Sequence, residues 1–227
     1  MLTLGLGIAG SSAAIAGAFE DGVSANQKGD YATALAIFRP LAEQGNVDAQ
    51  FGLGAMYWNG SGVAQDFKEA VKWFQLASAQ GHANAQFALG YMHASGQGVL
   101  KDEKEAAKWF QLAAKQGLAK AQYVLGVIYD GGIGVTEDEK EAVKWFRLAA
   151  KQGDAQAQFS LAVMYARNGV TKDGVRAQMW FNLAAAHGAD DPEKWREMWT
   201  KKLTKAHVAQ AQAAATKCQA SNYKDCD

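Results

Sequence analysis

The chain repeats itself. Ala-Gln opens the same pattern at Ala49-Gln50, Ala85-Gln86, Ala121-Gln122 and Ala157-Gln158, 36 residues apart each time. Trp73, Trp109 and Trp145 keep that interval, and Trp180 falls one residue short because the loop before it has lost a residue. Self-similarity at such a period describes a solenoid, in which each unit is too small to bury its apolar face alone and must lean on its neighbours. The 227 residues are therefore expected to form one continuous stacked body.

Each full copy divides into three parts. A first helix, such as Ala119–Tyr129, places Ala121, Leu125 and Tyr129 on one edge by i, i+4, i+8 spacing. Gly54, Gly90 and Gly126 sit inside these helices at a cost of about 1 kcal/mol against alanine, which predicts a close approach by the neighbouring helix. Ala162 fills the same place in the fourth copy. Next comes a glycine loop, Gly60-Ser61-Gly62-Val63 and its counterparts at Gly96 and Gly132. No G-K-[ST] follows, so it reads as a turn and not as a phosphate cradle.

The second helix begins at Asp66, Asp102 or Asp138, with Glu69, Glu105 or Glu141 three residues on, a variant of the capping box. A carboxylate pair in every copy speaks for solvated caps, because an acid/base dyad is needed once. Ala70, Trp73, Phe74 and Ala77 form the core stripe, with each Trp as a stacking anchor whose loss should cost about 3–5 kcal/mol. Gly45, Gly81, Gly117 and Gly153 end these helices.

The patterns AQ-x-x-LG-x-x-Y, G-x-GV-x-x-D and EA-x-KWF-x-LAA-x-QG together resemble the Sel1-like repeat family, a relative of the tetratricopeptide repeats, from roughly Gly22 to Gly188. The resemblance implies an all-α fold, a right-handed α/α superhelical solenoid of helix-turn-helix repeats. It implies a protein or peptide partner and brings no catalytic residues. The expected divisions are an opening helix pair over 19–45, repeats over 46–81, 82–117, 118–153 and 154–188, and C-terminal capping helices over 189–227. There, Asp191-Pro192 starts a helix carrying Trp195 and Trp199, and Thr204 starts another with Val208, Ala211 and Ala215 on its apolar side.

Met1–Ala18 is apolar, uncharged and ends in Ala16-Gly17-Ala18, as a secretory signal peptide does, although it lacks a basic n-region. Cleavage after Ala18 would export the chain to the periplasm or medium without stable membrane insertion. An uncleaved anchor is the alternative. Within it, Gly5-Leu6-Gly7-Ile8-Ala9-Gly10 spells a dinucleotide fingerprint without the strand, helix or acidic residue that would make it one.

Cys218 and Cys226 are the two cysteines, and in an exported chain they read as a disulfide, against two free thiols or a metal site short of ligands. Eight residues along a helix would part them by about 12 Å, so a bond requires the helix to stop near Ala220 and the chain to fold back. Closing that loop is worth about 2.5 kcal/mol on the chain-entropy model.

Formal net charge is zero and no Lys/Arg stripe accompanies the helices, which argues against nucleic acid. The four histidines lack metal spacing. His93 stands where the other copies carry Tyr57, Tyr129 and Tyr165, while His82 and His187 flank helix-ending glycines, where a cation would suit the helix dipole. Cysteine-rich members of the resembled family are linked to β-lactam binding or hydrolysis, and Ser221-x-x-Lys224 spells S-x-x-K. The companion motifs S-D-N and K-T-G are absent, as is the cysteine pair in each repeat. A structural envelope role touching peptidoglycan is a further alternative.

What remains is a surface. Positions on one side of the first helices drift while the core repeats: Asp48, Gly52, Ala55; Asn84, Ala88, Tyr91; Lys120, Val124, Val127; Gln156, Ser160, Val163. In related solenoids this side lines a concave groove that takes a peptide or partner helix. Trp58 and Asp130 lie at its rim. The residues expected to carry partner binding are Asp48, Ala55, Trp58, Asn84, Tyr91, Lys120, Val127, Asp130, Gln156 and Val163, with no catalytic, cofactor or metal-binding residue.

Overall fold

A computed structural model describes residues 12–167, 173–189 and 192–226. The G-x-G-x-x-G run, most of the signal-like stretch, Asn168-Gly169-Val170 of the shortened loop and Asp191 lie outside them. Among the described residues there are twelve helices and no strand. They are α1 (Ser12–Gln27), α2 (Tyr31–Glu43), α3 (Val47–Asn59), α4 (Phe67–Ala79), α5 (Ala83–Ser95), α6 (Glu103–Lys115), α7 (Ala119–Gly131), α8 (Glu139–Ala150), α9 (Ala155–Ala166), α10 (Gly174–Ala186), α11 (Pro192–Thr200) and α12 (Lys205–Ala220). The chain divides into two compact units, residues 1–101 and 102–227. Within each, a helix packs chiefly on its neighbours in sequence, α1 on α2 on α3 on α4 on α5, and α6 through α10 likewise.

The repeat's letters have physical reasons within each unit. Loop glycines come first. A side chain at Gly98 would drive into the carbonyl of Phe67 at the start of α4, and one at Gly134 into that of Glu103 at the start of α6. The second glycine of each loop is thus the place where one repeat's backbone rests on the preceding repeat's helix. This is a stacking contact, and no anion cradle is needed to explain it. Inside α3, a Cβ at Gly54 would stand 2.7 Å from the Phe74 ring. The close approach expected from the sequence is that ring lying on bare helix backbone.

In the first two copies the core anchor is the phenylalanine more than the tryptophan beside it, whereas Trp145 at 7 % exposure and Trp180 at 1 % are buried as the sequence expects. Phe74 is 0 % exposed, Phe146 2 % and Phe181 0 %. Trp73 and Trp109 are only half-buried. The indole nitrogens of Trp73, Trp109 and Trp145 are buried without a hydrogen-bond partner. The reason is position: the Phe points between the two helices of its own repeat, whereas Trp73 lies at the edge of that layer, its face 5.9 Å from the Lys72 ammonium.

The second helices carry half of the expected capping box. Asp66 and Asp138 accept the amides of Glu69 and Glu141 through Oδ1, at 3.1 Å each, and Asp102 accepts that of Glu105 at 3.0 Å. The glutamates do not reach back. Their carboxylates pair instead with Lys72, Lys108 and Lys144 one turn on. The N–H of Asp66 donates to Tyr57 O and that of Asp138 to Tyr129 O, which leaves the glutamate nothing to cap.

A polar seam runs through the apolar stack. Gln50 is 5 % exposed and Gln122 5 %. Gln50 donates to Ala42 O and Gln122 to Ala114 O, one element back. The Oε1 of Gln50 accepts from Gln80 Nε2 at 2.8 Å, and that of Gln122 from Gln152 Nε2 at 2.8 Å. Each donor also reaches a carbonyl, Gly45 O or Gly117 O, so the two amides tie three chain segments together. A buried amide with every group satisfied fixes register where greasy contacts would let helices slide. In the fourth copy His187 replaces the donor: its Nδ1 lies 2.8 Å from Gln158 Oε1. Gln158 Nε2 is committed to Ala150 O, so its oxygen must accept and Nδ1 must carry the proton.

The last copy departs from the pattern because its outside is covered. On α8 the outward face reads Glu141, Lys144, Leu148, with Leu148 41 % exposed. The matching face of α10 reads Arg176, Met179, Leu183, and Leu183 is 1 % exposed. Ala211, Ala215 and Cys218 of α12 join Met179 and Leu183 in one core cluster. At its other side α10 meets α11, where Trp195 stacks 6.4 Å from Phe181 and Trp199 donates to Gly174 O.

Candidate partner-binding surface

On the first unit, α3 and α5 present the side expected from the sequence. Trp58 is half-buried, with its indole N–H donating to Gln97 Oε1 at 3.0 Å and its ring 5.5 Å from that of Tyr91. Tyr91 is 46 % exposed. These two rings form a fixed aromatic shelf, because Phe74 supports Trp58 edge-on from below at 5.9 Å. Asn84 and Ala55 are half-buried and Asp48 is exposed. Ala88, expected on the open side, is buried at 3 %. It therefore belongs to the packing between helices and not to the surface.

Beside the shelf, α1 and α3 enclose a cleft of about 340 Å³. Phe19 and Val23 come from α1, Phe51, Gly52 and Ala55 from α3, and Asp48 stands at one end. Gly52 opens the floor: a Cβ there would lie 3.2 Å from the Phe38 ring. Helix α1 itself runs unbroken through Ala16-Gly17-Ala18, and Phe19 packs 5.5 Å from Phe38. Neither Phe19 nor Phe51 was among the expected binding residues. The repeated aromatic at Phe51, Phe87, Tyr123 and Phe159 signals Phe51 in the sequence only as one more periodic position, and Phe19, ahead of the repeats, carries no such signal.

His82 corrects its expected role. It caps the start of α5: Nδ1 accepts the Ala85 amide at 3.0 Å, while Nε2 faces Asp48 Oδ1 at 3.5 Å. A ring nitrogen that accepts an amide cannot carry a proton, so the imidazole is neutral. Burial lowers its pKa below the usual histidine value, only partly offset by Asp48. The sequence placed His82 beside a helix end, and the end it serves is the next helix's positive one, where a cation is disfavoured.

On the second unit, Lys120 and Val127 of α7 are exposed, and Gln156 and Val163 of α9 are half-buried. Lys120 shows much of its area to solvent, yet desolvation of its ammonium holds the pKa below the usual lysine value. Asp130 is already engaged, accepting from Arg167 Nη1 at 2.8 Å. Val163 leans on the α9–α10 core. Of the five positions, Lys120 and Val127 are the two that are exposed.

At the chain end Cys218 and Cys226 lie at disulfide distance, their α-carbons 4.7 Å apart. Helix α12 stops at Ala220 and the chain turns back through Asn222 and Tyr223, both with positive φ. The Ser221 hydroxyl donates to Cys218 O and accepts the Asp225 amide, so it serves as a turn fastener. Tyr223 OH lies 2.7 Å from His187 Nε2, which joins this loop to the end of the glutamine seam. Among the described residues no group of His, Cys, Asp or Glu could hold a metal ion, and no helix is long and apolar enough to cross a membrane.

Helix pairs stacked through glycine contacts and buried amides, with apolar side chains left on one face, define an all-α repeat solenoid of the protein-interaction class. The Sel1 repeat family matches residues 47–82, 83–118, 119–154 and 155–188, and the chain belongs to it. Its structure is similar to that of a Sel1 repeat protein from Oxalobacter formigenes, with 35% identity over 78% of this chain and 73% of that one and a TM-score of 0.73. It is also similar to c5321, a protective antigen present in uropathogenic Escherichia coli strains that displays the same fold, with 33% identity and a TM-score of 0.79. That match covers 88% of this chain, which spans 44% of the length of c5321. No curated protein is significantly similar. Sel1 repeat solenoids are generally protein-interaction modules.

Proposed function

We propose that the chain is an exported, non-catalytic adaptor or regulator that holds a segment of a partner protein against the open side of its first helices. The observation that carries this reading is the aromatic shelf on α3 and α5. Tyr91 is 46 % exposed on a rigid support while the matching inner faces are sealed. A pre-set aromatic beside polar groups is what interface hot spots are made of. Lys120 and Val127 offer the second unit's mixed apolar and charged contact. A cysteine pair at disulfide distance favours an oxidising compartment, and the likeness to a protective antigen is in keeping with one.

The test is crosslinking in intact cells followed by affinity capture and mass spectrometry. Tyr91→Ala with Lys120→Ala should abolish capture of the crosslinked partner at unchanged melting temperature. Capture that persists at wild-type yield refutes the assignment.

A further inference from the structure

We infer that the cleft between α1 and α3 reads a short basic–apolar motif, an aromatic or branched aliphatic anchor set two or three residues from a lysine or arginine. This rests on the adaptor reading and specifies the chemistry of the segment held.

The walls set the anchor. Phe19, Phe51 and Ala55 give one part of the cleft of about 340 Å³ its apolar walls, with room for one large side chain, and Gly52 keeps it open down to Phe38. Asn26, Asn59 and Ser61 stand around it as uncharged hydrogen-bonding groups suited to a peptide backbone. The charge is set by one residue. Asp48 is the single formally charged group lining the cleft, and its side chain is 56% exposed. Its neighbour His82 does not neutralise it, because the Ala85 amide occupies Nδ1 and holds the ring in its uncharged form. A carboxylate at the end of an apolar cleft attracts a cation and rejects an acidic side chain.

The spacing follows from helix geometry. Asp48 precedes Gly52 by four residues and Ala55 by seven on one face of α3, about 6–10 Å along the axis. An extended peptide covers that distance in two or three residues at about 3.3 Å each.

The test uses the full-length chain and end-blocked, fluorescein-labelled hexapeptides with phenylalanine three positions from lysine, in both orders, read by fluorescence polarisation. Matched peptides carry glutamate in place of lysine. The better-ordered lysine peptide should bind at least fivefold more tightly than its glutamate partner at low salt, with the ratio shrinking in 0.5 M salt. Asp48→Lys should invert the preference. Ala55→Trp, which fills the cleft, should remove binding of both while leaving the melting curve in place.

Equal affinity for the two peptides, or a preference that survives Asp48→Lys, overturns the charge assignment. Binding untouched by Ala55→Trp overturns the cleft, as does a concentration-dependent dimer dispersed by Ala55→Trp, which would make a second copy the occupant. Each of these leaves the Tyr91 and Lys120 capture experiment to judge the adaptor reading separately.

Discussion

Replacing Gly98 by alanine should cost far more than the same change at Gly81. Both glycines have left-handed backbone, with φ of +72° at Gly98 and +88° at Gly81. Forcing an L-residue there costs about 1–2 kcal/mol in either place. At Gly81 nothing lies within 4 Å of the new methyl, so that is the whole effect. At Gly98 the methyl also meets the backbone carbonyl of Phe67, with the Phe67 Cβ 3.0 Å away. Backbone at the start of a packed helix cannot rotate aside as a side chain can. Overpacking of this kind adds about 1–3 kcal/mol. Gly98→Ala should therefore lose roughly 2–5 kcal/mol and Gly81→Ala about 1–2 kcal/mol. Urea unfolding followed by circular dichroism reads the difference, a midpoint about 1 M lower for Gly98→Ala at a typical slope. Equal midpoints for the two variants would refute the claim that loop backbone resting on the preceding helix sets the stack.

Three other changes probe the remaining contacts. Gln122→Leu strands the Gln152 amide and the Ala114 carbonyl, and should destabilise by about 1–3 kcal/mol, with Gln122→Leu/Gln152→Leu costing less than the two singles summed in urea melts. His82 binds a proton more readily unfolded than folded, so its contribution is complete above the unfolded value near pH 6.5 and is lost as pH falls below it. Melting temperature against pH should show that slope, worth about 1 kcal/mol as a cap, and His82→Asn should flatten it. Cys218→Ser/Cys226→Ser should cost about 2.5 kcal/mol in the C-terminal cap, seen as faster amide exchange around Tyr223.

The period of 36 residues made the helices, their caps and their glycine ends legible, because each of these is decided within a few residues of chain. What connects distant residues was not. Gln50 recurs as a letter in every copy and Gln80 in all but the last, yet nothing local says that one amide donates to the other across 30 residues. Phe74 and Trp73 are adjacent and both apolar, and only the direction each points decides which is the anchor. The site was half legible. Drift among Asp48, Tyr91 and Lys120 marked the open side, but the engagement of Asp130 by Arg167 and the burial of Ala88 depend on neighbouring helices that a single repeat does not contain. His82 shows the same limit: its ring serves the helix after it, not the one before.

The main-chain surfaces and buried amides that hold repeats in step borrow no residue from the open side of the first helices, whereas Trp58 and Asp130 at its rim also bind the next repeat, through Gln97 and Arg167. Natural drift or deliberate library design can therefore rewrite that face almost letter by letter while the framework keeps its spacing. One architecture can be retargeted to new ligands without being refounded, so that change of clientele need not trade against folding.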